Sequence, residues 1–440
     1  MTVSKQSSPL CGEISLPGDK SLAHRALLFS ALAEGDSEIS NFPASGVSRA
    51  MSGALESLGA QIEIKPSGVA KVRGGGMKPF PRQGATAFCG NSATTIRMLA
   101  GALAATGTGA RLDGSEGLRR RPMARIAGPL SAMGVDIACA NGGTAPLDIA
   151  PRPSGKRLSP FRGGTDVASA QVKSCIILAA LAADGESEIT EPSLSRDHTE
   201  RMLSAMGAKI SRSPGPHGPA VKVSPLESPL SPVRTALPGD ISSAAFLFAA
   251  AAIVPGSRVC VRGLCLNPGR TGFLECLAAM GAEVEISPRG EVLGEPAGDV
   301  TVRAAALHGI DVRGDLVVRT IDEFPALAAV AAFAEGATTV AGAAELRTKE
   351  SDRIAAITRC LRAIGADVEE YPDGFCIAGG GAIGGETQAG GDHRLAMAMA
   401  VAGLGTPHGV TVRGADILAE SYPSFAADLA ALKVEGLKVS

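Results

Sequence analysis

The sequence predicts a mixed α/β fold in two domains, each made of three copies of one βαβαββ-like unit. Three observations carry that prediction: a motif that recurs six times, helices with almost no polar face, and a length beyond one core. At 440 residues the chain exceeds the roughly 250 to 300 at which a single core stops growing.

The recurring motif is a Gly or small polar start, then an Ala-rich apolar stretch that stops near Gly. It reads PGDKSLAHRALLFSALAEG from Pro17, GNSATTIRMLAGALAATG from Gly90 and ASAQVKSCIILAALAADG from Ala168. It returns as PGDISSAAFLFAAAAIVPG from Pro238, DEFPALAAVAAFAEG from Asp322 and GGDHRLAMAMAVAGLG from Gly390. The spacing, roughly 70 to 85 residues, fits a whole supersecondary unit. Stretches this apolar on every side predict helices buried inside each domain, with sheets packed around them.

After each stretch come a short β-rich segment, a second helix and a strand led by Gly, as in ESLGAQIEI, SAMGVDIA, SAMGAKIS, AAMGAEVEI and RAIGADVEE. Gly there predicts a helix stop, because a positive φ ends a helix at least cost in that residue. The sixth copy ends after SFAADLAALKVEG without its closing strand, and the strand around residues 12–16 is expected to supply it. The expected division is residues 18–237 against 1–17 plus 238–440, so the chain crosses between domains twice.

Composition narrows the function. Trp is absent and only 2 Tyr and 12 Phe occur, so the core must be aliphatic. A net charge of -2 gives no basic field to hold a nucleic acid, so any anion must be gripped locally. No apolar run is long enough to span a membrane and no charged segment precedes one as in a signal peptide, so a cytoplasmic protein is expected, and a monomer because no unpaired apolar surface stands out. Nine scattered cysteines without CxxC pairing read as free thiols, and no His and carboxylate spacing suggests a metal ligand set.

A helix start exposes unpaired N–H groups and about half a positive charge, which makes it an anion site. Charged and polar residues gather at these starts: Lys20, Ser21 and Arg25; Asn91 and Arg97; Ser169, Gln171 and Lys173; Asp322 and Glu323; Asp392, His393 and Arg394. Arg119 to Arg121, Arg196 to His198, and Lys349, Glu350 and Arg353 add to them. Cations at helix starts oppose the dipole, and a bound anion resolves the conflict. Singly, each has a plain reading: Lys20 and Ser21 as a solvated cap, Arg119 to Arg121 as a wet basic patch, Ser169 and Gln171 as ordinary capping, Lys349 to Arg353 as a surface ion-pair ladder.

Together the segments LPGDKSLAHRALL, GNSATTIR, LRRRPMARI, SAQVKS, SRDHTERML, LPGDISSAAF, IDEFPALAAVAAFAEG, ELRTKESDRI and GDHRLAMAMAV resemble the EPSP synthases, in order across nearly the whole chain. The resemblance implies the enolpyruvyl transferase fold, an inside-out α/β barrel in two domains, with the active site in the cleft they close. It implies transfer of the enolpyruvyl group of phosphoenolpyruvate to the 5-hydroxyl of shikimate 3-phosphate, without metal or cofactor. By motif position, shikimate 3-phosphate falls to Lys20, Ser21, Arg25, Ser169, Gln171, Arg196, Asp322 and Lys349. Phosphoenolpyruvate falls to Lys20, Asn91, Ala93, Arg121, Gln171, Arg353 and Arg394. Asp322, Glu350 and Lys20 are the implied catalytic groups: Asp322 nearest the 5-hydroxyl, Glu350 as proton donor to C3, Lys20 stabilising charge, with the two carboxylates free to exchange roles.

Two positions depart from the best-known branch. Ala93 in GNSATT stands where that branch has Gly, which suggests the class II, glyphosate-tolerant synthases. Glu420 in AESYPSF stands where it has Lys, which removes an expected cation. Two other readings share the fold: a UDP-N-acetylglucosamine enolpyruvyl transferase, and a non-catalytic anion-binding relative. The stretch from Gly114 to Arg125 has no cysteine of the kind the first would carry. The catalytic groups argue against the second.

Overall fold

The computed structural model describes residues 1–43, 45–215 and 218–438. The six recurring stretches become the helices Lys20–Leu32, Ala93–Thr106, Ala170–Ala180, Ile241–Ile253, Phe324–Ala331 and His393–Gly405. Five begin at a side-chain cap, in which Asp19, Ser92, Ser169, Asp240 or Asp392 accepts from a backbone N–H of the first turn. Phe324–Ala331 starts after Glu323 without a side-chain cap, with Pro325 supplying the preset φ of a first turn.

These inner helices are sealed. Every residue of Ile241–Ile253 is buried, as is every residue from Leu22 to Leu32. Small side chains allow the close approach: a Cβ on Gly101 would stand 2.3 Å from the carbonyl oxygen of Cys175, where helix Ala93–Thr106 crosses Ala170–Ala180. The glycines that follow the second helices, Gly59, Gly134, Gly207, Gly281 and Gly365, all take positive φ, as the stop signals predict.

Around the helices lie six separate four-stranded sheets of one topology. In the second repeat, Ala85–Phe88 runs parallel to Ala110–Asp113 across the inner helix. Thr144–Ile149 lies antiparallel to Ala110–Asp113 on one side and to Ile137–Ala140 on the other. The expected barrel is therefore a grouping of open sheets about buried helices, with no closed hydrogen-bonded ring among the described residues.

Two leading strands join other repeats. Cys11–Ser15, just before the first inner helix, lies parallel to Arg258–Cys265 in the fourth sheet. Arg234–Ala236, just before the fourth, lies parallel to Glu34–Ser40 in the first. This corrects the strand expected to close the sixth sheet. The Gly-led strand is present as Leu437–Lys438; the strand the sixth copy lacks is the one between it and Val410–Arg413, and Thr2–Val3 supplies it while residues 12–16 do not. A two-residue strand carries no alternation to read, whereas CGEIS does, so the visible strand was given the other's place.

The chain forms two compact units. The N-terminal unit is Pro17–Pro238 with Glu291–Glu295; the C-terminal unit is Met1–Leu16, Gly239–Gly290 and the chain from Pro296 onward. The C-terminal core is aliphatic, with Phe246, Tyr422 and Phe425 in edge-on contact, and its three inner helices touch one another. All nine cysteines are free thiols, and burial pushes Cys89 and Cys175 up to about 12. Among the described residues no helix is long and apolar enough to cross a membrane.

Candidate active site

In the C-terminal unit six residues singled out from the sequence come together. Asp322 lies in the turn before Phe324–Ala331; Lys349 and Glu350 lie between a 3-10 turn, Ala344–Thr348, and the helix Arg353–Ala363. Arg353, 1% exposed at its side chain, is the hub. Its Nε donates to Asp392 Oδ2 at 2.8 Å, its Nη2 to Glu350 Oε2 at 2.7 Å, and its Nη1 stands 3.5 Å from Asp322 Oδ1. Lys349 Nζ lies 3.5 Å from the same Asp322 oxygen. Arg394 Nη1 donates to the Asp322 carbonyl at 2.9 Å.

The burial gradient carries chemical meaning. Arg353 and Asp392 are sealed, at 1% and 0%, while Asp322, Glu350 and Lys349 keep 17%, 26% and 28% of their side chains exposed. The Arg353–Asp392 pair is held dry, and the groups around it are partly open to solvent. Burial pulls the Arg353 guanidinium down, but Asp392, Glu350 and Asp322 outweigh it and hold it above its ordinary value. Burial likewise pushes Asp392 up, and Arg353 overrides it, leaving that carboxyl below the usual range.

A second layer supports this face. Glu323, fully buried, accepts from Ser242 Oγ and lies 3.8 Å from Arg394 Nη1. Arg270 stands 3.4 Å from Asp240 and 4.0 Å from Glu323. Sequence reasoning missed Ser242 and Arg270. PGDISS at the fourth helix start repeats PGDKSL at the first, and that echo was the available signal.

The N-terminal unit holds a separate group. Lys20 and Ser21 open helix Lys20–Leu32, both half-buried. Arg25, 3% exposed, turns inward, donating to Thr199 Oγ1 at 2.8 Å, the Ser21 carbonyl at 2.9 Å and Ser174 Oγ at 3.1 Å. Burial lowers it to about 10 against the opposing pull of Glu200, Glu295 and Asp19. Arg196 is half-buried in the segment before Thr199, and its charge acts on Arg25.

Beside these, Arg97 ties two further motifs together. It donates to Gln171 Oε1 at 2.7 Å and to the Pro122 carbonyl, next to Arg121, at 2.9 Å. Gln171 Nε2 donates to Thr94 Oγ1 at 2.9 Å, and exposed Asn91 accepts from Ser115 Oγ at 3.1 Å. Ala93 is the first residue of its helix and 3% exposed, and Ser169 caps the third. Lys173, counted with the helix-start cations, is fully buried on Glu191 and Glu200 and does not join this face. Glu420 ends an exposed 3-10 turn, Ala415–Glu420.

Inner helices wrapped by open four-stranded sheets, with charged groups at the helix starts, define the enolpyruvyl transferase class. The enolpyruvyl transferase NikO of Streptomyces tendae shares the fold, with a TM-score of 0.73 at 18% identity over 98% of this chain and 97% of that one. The chain belongs to the EPSP synthase (3-phosphoshikimate 1-carboxyvinyltransferase) family, whose pattern it matches over residues 4–429. The EPSP synthase structure from Acinetobacter baumannii superposes with a TM-score of 0.86 at 37% identity, over 99% of this chain and 98% of that one. The 3-phosphoshikimate 1-carboxyvinyltransferase of Synechococcus sp. strain JA-3-3Ab is 45% identical over 94% of this chain and 93% of its own length. That of Geobacter sulfurreducens is 44% identical over 97% and 98%.

Proposed function

We propose that this protein moves the enolpyruvyl group of phosphoenolpyruvate onto the 5-hydroxyl of 3-phosphoshikimate, releasing phosphate, in aromatic amino acid biosynthesis. The observation that carries the proposal is the Arg353 hub: two partly exposed carboxylates on one sealed guanidinium, with a lysine beside one of them. Addition of an alcohol across the double bond of an enol phosphate needs a base for the hydroxyl proton and an acid for C3, and a carboxylate pair supplies both.

Asp322 takes the proton as the hydroxyl oxygen bonds to C2, and Glu350 delivers one to C3. Glu350, left as a carboxylate, then takes a C3 proton back as the C2–O bond to phosphate breaks, which restores the double bond, and the hydroxyl proton held by Asp322 leaves with the phosphate. Lys349 beside Asp322 offsets charge as it develops. Arg353 meets the donor's carboxylate by releasing Glu350 or Asp322, so donor binding frees a proton-transfer group at the moment it is needed.

In the N-terminal unit, Lys20, Ser21, Arg25, Ser169, Gln171 and Arg196 are assigned to 3-phosphoshikimate, and Lys20, Asn91, Arg121 and Gln171 to the donor. Guanidinium forks match phosphate and carboxylate geometry, and a local cluster of them suits a chain with no basic field of its own. A cytoplasmic monomer fits this role.

The test is phosphate release on mixing the purified protein with both substrates. Release with both and none with either alone is expected; release with UDP-N-acetylglucosamine as acceptor would favour the other enolpyruvyl transfer, and none with any acceptor would leave only anion binding.

We also place the chain in the glyphosate-tolerant branch, on Ala93. Its methyl stands at the first position of helix Ala93–Thr106 and narrows the space for anything longer than phosphoenolpyruvate. Ala93→Gly should lower the glyphosate concentration for half-inhibition by about tenfold or more, since one methyl misplaced at a contact costs on the order of 1–3 kcal/mol. An unchanged inhibition curve would discard the assignment.

A further inference from the structure

One buried charge cluster stands outside the mechanism. Lys173 Nζ lies 2.7 Å from Glu191 Oε2 and 2.8 Å from Glu200 Oε1, and none of the three side chains is more than 2% exposed. The ammonium also donates to the Ser195 carbonyl at 3.4 Å. Its three partners come from the strand end at Glu191, the segment before helix His198–Ala205, and the helix itself. A dry ion triad adds little net stability over an apolar replacement, so its use must be sought in what it orients.

The triad brackets the segment that carries Arg196. Lys173 grips the carbonyl of Ser195, one residue before Arg196, and the carboxylate of Glu200, one residue after Thr199. Thr199 Oγ1 accepts from Arg25 and bonds Ser174, which sits next to Lys173 on helix Ala170–Ala180. One ammonium and two carboxylates leave an excess negative charge, and Glu200 is the foremost opposite charge acting on Arg25, whose direct hydrogen-bond partners above are neutral oxygens.

We propose that Lys173, through Glu200 and the Ser195 carbonyl, is a positioning residue that sets Arg196 and Arg25 for the phosphate of the acceptor, without touching the acceptor itself. The inference rests on the assignment of those two arginines to 3-phosphoshikimate. An ammonium with three tetrahedral donors can hold a carbonyl and two carboxylates from different elements at once, and this fixes a segment that has no ladder of its own.

The test is a double-mutant cycle on the full-length enzyme. Lys173→Met should raise KM for 3-phosphoshikimate about tenfold while KM for phosphoenolpyruvate and kcat change less than about twofold. In an Arg196→Ala, Arg25→Ala background the same change should add less than about twofold, because both groups it positions are gone. Should Lys173→Met not fold, Glu200→Gln, which keeps the Lys173–Glu191 pair, carries the same cycle with the same expectation. Equal movement of both KM values and kcat, or effects that simply multiply, would reduce the triad to a structural role and overturn the proposal. If Arg196→Ala and Arg25→Ala leave KM for 3-phosphoshikimate unchanged, the phosphate assignment itself fails, and the proposal with it.

Discussion

Asp322→Asn is expected to lower kcat by about 10²- to 10⁴-fold, with the protein still folded and both KM values within a few-fold of the original. Asn keeps the shape and can still accept from Lys349 and Arg353, each 3.5 Å from the carboxylate, but it cannot hold the proton of the attacking hydroxyl. Because the side chain is 17% exposed and its charge partly screened, the stability cost should stay within about 1 kcal/mol, measured by denaturant unfolding. Glu350→Gln should be similarly slow, with one difference. In deuterated solvent it should also lose exchange of the C3 hydrogens of the donor, since Glu350 is the group proposed to protonate C3. A kcat above about a tenth of the original in Asp322→Asn would place the base elsewhere.

Arg353→Met should be the most destabilising change at the site, by about 3–5 kcal/mol, read as a fall in the urea midpoint. It removes the cation from three carboxylates at once, and Asp392, at 0% exposure, has no water to take its place. The sign of the pH dependence separates this from simple loss of packing. Asp392 is held below the ordinary carboxyl value, so its contribution to stability is present above about pH 4 and is lost as pH falls through the depressed value. Without Arg353 the buried carboxyl is pushed up instead, and protonation then favours the folded state. The gap between variant and original should therefore narrow from pH 7 toward pH 4. A gap that stays constant over that range would mean the loss comes from volume and not from charge.

The local devices of this protein were legible because each is decided within a turn or two of chain. Gly59, Gly134, Gly207, Gly281 and Gly365 had to stop their helices, Asp19, Ser92, Ser169, Asp240 and Asp392 could cap theirs, and the alanine-rich stretches had no polar face to turn to water. The chemical types at the helix starts were visible for the same reason; the grouping of Asp322 with Lys349, Glu350 and Arg353 was visible only through the resemblance to the EPSP synthases.

What those groups do to one another was not legible. Nothing in LRTKESDR says that Arg353 is sealed while Glu350 three residues earlier is open, and nothing in SAQVKS says that Lys173 turns into the core while Gln171 reaches Arg97.

By itself the sequence determined the repeat, the fold class and the residues able to carry charge, because capping, helix stops and burial of apolar stretches act over a few residues; the family came from the resemblance of its motifs, matched in order along the chain. Only the tertiary structure decided that Thr2–Val3 completes the sixth sheet, that Cys11–Ser15 and Arg234–Ala236 lead sheets other than their neighbours', and that Arg353 and Lys173 anchor buried ion clusters. Strand partners hundreds of residues apart, and the dryness that makes a charge pair bind tightly, depend on packing that no short segment encodes.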